Sequence, residues 1–293
     1  MYDLKGYCEA ETVTEAIGLL AANLDLRIIA GGTDVLIKLQ HGQSSGAELL
    51  SIRRIKELTN IELLENGTIV IGALATFAQI FANVIIKEHI PALAEAAVSM
   101  GGPQIRNIAT IGGNVCNGAT SADSASTLFA LDAKLKLVSS GGERIVPVRE
   151  FYLGPGKVDL KPGELLCELL IPPESYAGFG GHYVKFAMRK AMDIATLGVS
   201  VMCKLDRNCF ARVKIGLGVA GPTPLRCMEA ENYAIGKPVS ETTLAEIGKL
   251  AVTASNARTS WRASKEYREH LVEVLTQRAL KVAILRAGGE DLA

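Results

Sequence analysis

Apolar and polar positions along the chain divide it into alternating helical and strand-like segments. Thr12 followed by Glu15 fits a capping box, and Ala16, Leu19, Leu20 and Leu24 then recur at helical spacing. Leu26–Ala30 reads as a short buried strand that runs straight into Gly31-Gly32-Thr33-Asp34. Thr68–Gly72 predicts a further strand, Thr76 with Gln79 opens a second capped helix, and Pro91 opens a third. The stretch from Met100 to Ser126 is rich in Gly, Asn, Ser and Thr. It is too long for a simple turn, and Ile105, Ile108, Ile111 and Val115 make it too apolar for a disordered linker.

Beyond Leu131 the pattern becomes β-like. Lys134–Val138 and Arg144–Val148 flank Ser-Ser-Gly-Gly as a hairpin, and Glu164–Ile171 forms another strand. Pro172–Gly181, with two prolines and three glycines, marks a domain boundary. Strands follow at His182–Met188, Ala195–Leu205 and Phe210–Ala220, then helices at Leu225–Ala234, Thr242–Ala254 and Ser264–Arg286. Strands grouped before helices predict α+β domains and argue against a doubly wound sheet.

Composition narrows the function. The 293 residues suffice for two compact domains or three small ones. With 31 Lys+Arg against 31 Asp+Glu and no basic run, the chain lacks the field that a nucleic-acid binder needs. The N-terminal residues carry acids where a signal peptide needs a basic leader, and no stretch approaches the roughly 20 apolar residues of a membrane span, so a cytoplasmic protein is expected. Cys8, Cys116, Cys167, Cys203, Cys209 and Cys227 stand far apart with no C-x-x-C. The chain is therefore expected to hold reduced thiols and neither zinc nor an iron–sulfur cluster of its own.

Three glycine-rich stretches carry the candidate chemistry. Gly216-Leu-Gly218-Val-Ala-Gly221 spells a dinucleotide fingerprint, but it sits late in a strand and meets Pro222 and Pro224 where a helix must begin. Close packing of a strand against another backbone is the better reading. At Ile28-Ile29-Ala30-Gly31-Gly32-Thr33-Asp34-Val35, two glycines after a buried strand allow successive N–H groups to face one concavity, a phosphate cradle, although a plain tight turn has the same spelling. Thr110-Ile111-Gly112-Gly113-Asn114 repeats that chemistry, and Asp123 follows as a carboxylate for sugar hydroxyls or as a helix N-cap. Two such loops point to a ligand with two phosphates lying between subdomains, a dinucleotide held without a Rossmann fold.

Ala30-Gly31-Gly32-Thr33-Asp34 together with Pro103-Gln-Ile-Arg-Asn-Ile-Ala-Thr-Ile-Gly-Gly-Asn114 resembles the FAD-binding medium subunit of molybdenum hydroxylases. Cys116-Asn-Gly-Ala-Thr-Ser-Ala-Asp-Ser124 is most similar to bacterial xanthine dehydrogenase FAD-binding subunits, and the likeness extends through Lys185–Arg189, Ala191–Ile194 and Ser260–Glu266. The resemblance implies an α+β fold: a PCMH-type FAD-binding domain over 1–175, made of subdomains of about 1–58 and 59–175, and a C-terminal domain over 176–293. That second domain would be a three-stranded antiparallel sheet with helices, as in carbon monoxide dehydrogenase flavoproteins.

The resemblance also implies contacts. Ile28 to Val35 would wrap the pyrophosphate, Thr110 to Asn114 would add backbone contacts, and Asp123 would meet ribityl or ribose hydroxyls. Met100, Leu166 and Lys185 would approach the flavin, with core packing the alternative for Met100 and Leu166 and a solvated surface position the alternative for Lys185. By strand alternation Tyr183 and Lys185 share a face. No inserted cysteine loop and no histidine in a glycine motif occurs, whereas Cys116 leaves a covalent flavin link open beside the reading of a buried thiol. The implied role is electron transfer: a molybdopterin-binding large subunit hydroxylates a purine, a small [2Fe–2S] subunit relays electrons, and FAD here reduces NAD+, the whole being a dimer of heterotrimers. A free-standing flavin oxidoreductase and an assembly module without cofactor are the competing readings.

Overall fold

The computed structural model describes residues 3–43 and 45–291. Helix Val13–Ala22 starts where Thr12 Oγ1 accepts from the Glu15 N–H at 3.1 Å. The Glu15 carboxylate accepts from Glu11 and not from Thr12, so this box closes one residue early. The helix covers a parallel sheet whose strands lie in the order Leu4–Glu9, Ala47–Ser51, Arg27–Ile29. Leu4–Glu9 escaped the hydrophobic pattern because it is an edge strand with no fully buried side chain.

The second layer is an antiparallel sheet of five strands: Ile61–Leu63, Ile69–Gly72, Leu165–Ile171, Lys134–Ser139 and Gly142–Pro147, in that spatial order. Thr76 and Gln79 close a full capping box over helix Phe77–Ala82. Helices Pro91–Ser99 and Asp123–Ala130 bury their apolar faces against the same core. The polar stretch after Met100 is mostly short helices, Pro103–Arg106 and Ile111–Cys116, the second held by fully buried Ile111 and Val115 one turn apart.

The C-terminal sheet pairs Gly180–Phe186, Leu197–Asp206 and Cys209–Gly218 antiparallel under helices Glu241–Thr253 and Lys265–Arg286. A fourth strand, Leu225–Arg226, adds a two-residue edge to the expected three. The helix predicted from Leu225 accordingly begins at Met228. Arg226 accounts for the difference: its guanidinium bonds Glu231, Asp132 and the Phe129 carbonyl, which holds this segment extended. Of the fingerprint glycines, Gly216 is a packing glycine, since a Cβ there would lie 2.0 Å from the Ser126 carbonyl oxygen of helix Asp123–Ala130. Tyr183 and Met202 of this sheet join the apolar core that contains Leu93 and Leu128, so the two domains share a buried seam.

Candidate functional site

Strand Arg27–Ile29 ends in a loop that becomes helix Val35–Gln40, and this loop forms one wall of a cavity of about 560 Å³. Gly32 sits at φ +77°, the left-handed region that favours glycine. Among the described residues no group accepts from the N–H of Gly31, Gly32, Thr33, Asp34 or Val35. A run of unpaired amides around a left-handed residue, lining a concavity, is an anion nest. Across its mouth Asn117 accepts from Lys38 Nζ at 2.9 Å and donates to Asp34 Oδ1 at 3.2 Å.

The second loop plays a different part. Thr110 caps helix Ile111–Cys116 by accepting from the Gly113 N–H, while Ile111, Gly112 and Asn114 donate to the carbonyls of Ala75, Ala73 and Thr110. These amides are committed to the fold, so they add no second nest. Thr110, Gly112, Gly113 and Asn114 nevertheless line the cavity. Gly112 is small because a Cβ would meet the Ala73 carbonyl oxygen at 2.7 Å, and one at Gly31 would meet the Ile108 carbonyl oxygen at 2.2 Å. Gly31 thus permits backbone-to-backbone closure between the two subdomains, whereas Gly112 permits a close approach within the second one.

Ile28, Ala30, Val35, Met100 and Leu166 also line this cavity, together with Cys116. The side chains of Ile29 and Ile111 turn into apolar clusters, and neither residue lines the cavity. Asp123 and Lys185 lie behind the wall, outside the cavity lining. Asp123 is the first residue of its helix and caps nothing; its carboxylate pairs with Lys185 Nζ at 3.0 Å and accepts from the Tyr183 hydroxyl at 3.2 Å. Burial raises the Asp123 pKa against the opposing pull of Lys185 and Tyr183. Lys185, which a strand pattern alone places in solvent, also donates to the carbonyl of Ser99, the residue before Met100. Burial pushes the Cys116 thiol up to about 12, so it stays protonated and is a poor nucleophile for a covalent flavin link.

Lys38, Asn117 and the Lys161–Glu164 loop also line the cavity and were not foreseen. Lys38 stands four residues after Asp34 on one helix face, a spacing visible in sequence, whereas Asn117 gave no signal. Among the described residues no group of His, Cys, Asp and Glu could hold a metal ion, and no helix is long and apolar enough to cross a membrane.

An anion nest and an apolar cleft between two α+β subdomains, followed by a sheet-and-helix domain, define a dinucleotide-binding flavoprotein of non-Rossmann type. Residues 2–174 match the family described as FAD binding domain in molybdopterin dehydrogenase, and residues 182–283 match the CO dehydrogenase flavoprotein C-terminal domain. The chain belongs to this family, the FAD subunits of molybdenum hydroxylases. It is 44% identical over 290 residues to the xanthine dehydrogenase FAD-binding subunit of Escherichia coli O157:H7, covering 99% of each chain. It is 33% identical to the glyceraldehyde dehydrogenase medium chain of Sulfolobus acidocaldarius, over 94% of this chain and 96% of that one. A carbon monoxide dehydrogenase structure from Hydrogenophaga pseudoflava superposes with a TM-score of 0.92 at 28% identity, covering 98% of this chain and 99% of that chain.

Proposed function

We propose that this chain is the electron-exit subunit of a xanthine dehydrogenase, holding FAD non-covalently and reducing NAD+. The observation that carries the reading is the run of unpaired amides from Gly31 to Val35 around left-handed Gly32, opening on a cavity of about 560 Å³. That volume lies within the roughly 300–1,000 Å³ of ordinary cofactor sites. The residues fit FAD: the nest takes the pyrophosphate, Lys38 and Asn117 lie at its mouth, and Met100 and Leu166 offer apolar walls to a flavin. Asp123 and Lys185 form a buried charged pair outside the cavity lining, joined through the Ser99 carbonyl to the residue before Met100. When bound, FAD supplies a centre that accepts electrons singly and releases them as a hydride. The chain's own residues bind and orient it.

The hydroxylating molybdopterin centre and the [2Fe–2S] relay belong on two partner subunits in this reading, assembled as a dimer of heterotrimers. Purine as substrate is supported by the 44% identity to the xanthine dehydrogenase subunit. Relatives at 33% named for glyceraldehyde and for nicotinate keep an aldehyde or another N-heterocycle as the second reading.

Two experiments test the proposal. Purified chain reconstituted with FAD should show flavin absorbance that survives desalting and is released on denaturation. Loss of all flavin on desalting overturns the cofactor assignment. The complete complex should reduce NAD+ with xanthine, and preference for an aldehyde would replace purine as the substrate.

A further inference from the structure

Helix Pro91–Ser99 and strand Gly180–Phe186 are pinned together across the domain seam at two points. Glu95 accepts from the Tyr183 N–H at 2.9 Å and also binds His182 Nδ1 and Arg286. One helical turn further, the Ser99 carbonyl accepts from Lys185 Nζ at 3.1 Å. Tyr183 and Lys185, on one strand face, both end on Asp123 of the opposite domain, the phenol on Oδ1 and the ammonium on Oδ2. Tyr183 is 5% exposed and Asp123 8%, so neither carboxylate oxygen has water to replace a lost donor.

We infer that Tyr183 is a positioning residue: its hydroxyl keeps the Asp123–Lys185 pair ionised and electrically balanced beside the flavin end of the cavity. The inference rests on the FAD assignment above. Gly198 provides the space, since a Cβ there would come within 3.2 Å of the Tyr183 hydroxyl. A buried carboxylate is destabilised by desolvation, and here two donors offset that cost. With the phenol removed, Asp123 takes up a proton more readily and the Lys185 charge is left uncompensated. That ammonium is bonded to the residue preceding Met100 on the cavity wall, where extra positive charge favours a reduced, more negative flavin.

The test is the midpoint potential of flavin bound to the full chain, measured by spectroelectrochemistry alongside FAD stoichiometry and melting temperature. Tyr183→Phe should bind one FAD per chain and raise the potential by about 30 mV, a tenfold shift for a two-electron couple. In an Asp123→Asn background, where the carboxylate charge is already gone, Tyr183→Phe should add no further shift. Gly198→Ala, which crowds the hydroxyl from the far side, should move the potential in the same direction, and decides the matter alone if Tyr183→Phe does not fold. An unchanged potential in Tyr183→Phe and Gly198→Ala overturns the inference and leaves the FAD assignment standing. Wild-type chain that takes up no flavin overturns both, and absorbance shows this before any variant is compared.

Discussion

The adjacent glycines Gly31 and Gly32 do different physical work. Gly31 is small because the Ile108 carbonyl oxygen would lie 2.2 Å from a Cβ, whereas Gly32 is needed for its φ of +77°. The sequence spells both the same way, and only the tertiary approach of Ile108 separates them. Gly31→Ala should therefore cost about 2 kcal/mol, in the range of core overpacking, and open the seam between subdomains. Gly32→Ala should cost about 1 kcal/mol, mainly through backbone strain, since the Leu36 side chain 3.1 Å from the added Cβ can give way. Thermal melts without FAD check the order, and equal losses would show that Ile108 yields easily. Cys116 gives a second prediction at this scale. A thiol at about 12 should resist iodoacetamide at pH 8 in the native chain, and Cys116→Ala should keep its flavin. Flavin that stays attached to denatured wild-type chain would contradict this.

Elements were legible where local chemistry decides them. Thr76 with Gln79 and the spacing after Ser264 announce their helices, because caps and periodicity act over one or two turns. Leu225–Arg226 was misread as helix because its conformation is set by partners far along the chain, with Arg226 reaching Asp132. The loop before strand Leu165–Ile171 is fixed in the same non-local way. Arg144 grips both carboxylate oxygens of Glu164 at 2.7 and 2.9 Å and Asp159 at 2.7 Å, which holds the Lys161–Glu164 wall of the cavity. Burial alone would raise the Glu164 pKa, but Arg144 and the Lys161 amide more than offset it, and the net shift is downward. A carboxylate with a depressed native pKa contributes stability above its unfolded value of about 4.3 and loses it as pH falls through the native value. Arg144→Met should therefore cost about 2 kcal/mol at pH 7 and progressively less as pH falls below the unfolded carboxylate value and through the lowered native one, read from urea midpoints across pH. A pH-independent loss would mean that packing of the arginine stem, not its charge, holds the loop.

At the scale of the whole molecule, the α+β class followed from strands grouped before helices, but the contact between the FAD-binding part and the C-terminal sheet was not readable. Asp132, Lys214 and Arg226 lie far apart in sequence, and nothing local marks them as partners. In the fold Lys214 Nζ meets Asp132 at 2.9 Å with the lysine 1% exposed, and Arg226 bridges Asp132 to Glu231. Burial lowers the Lys214 pKa and Asp132 opposes it, so this ion pair holds a charge inside the seam that the apolar core alone would expel. Asp132 also sits at φ 47°, which asparagine tolerates, so Asp132→Asn isolates the charge from the backbone. That variant should cost about 3 kcal/mol, because it strands a buried ammonium. Adding Lys214→Met should recover most of the loss, since it removes the unpaired ammonium, while the asparagine introduced by Asp132→Asn can still accept from Arg226. A denaturation double-mutant cycle measures the difference. Additive losses would place the seam's stability in its apolar contacts, with Tyr183 and Met202 against Leu93 the next residues to test.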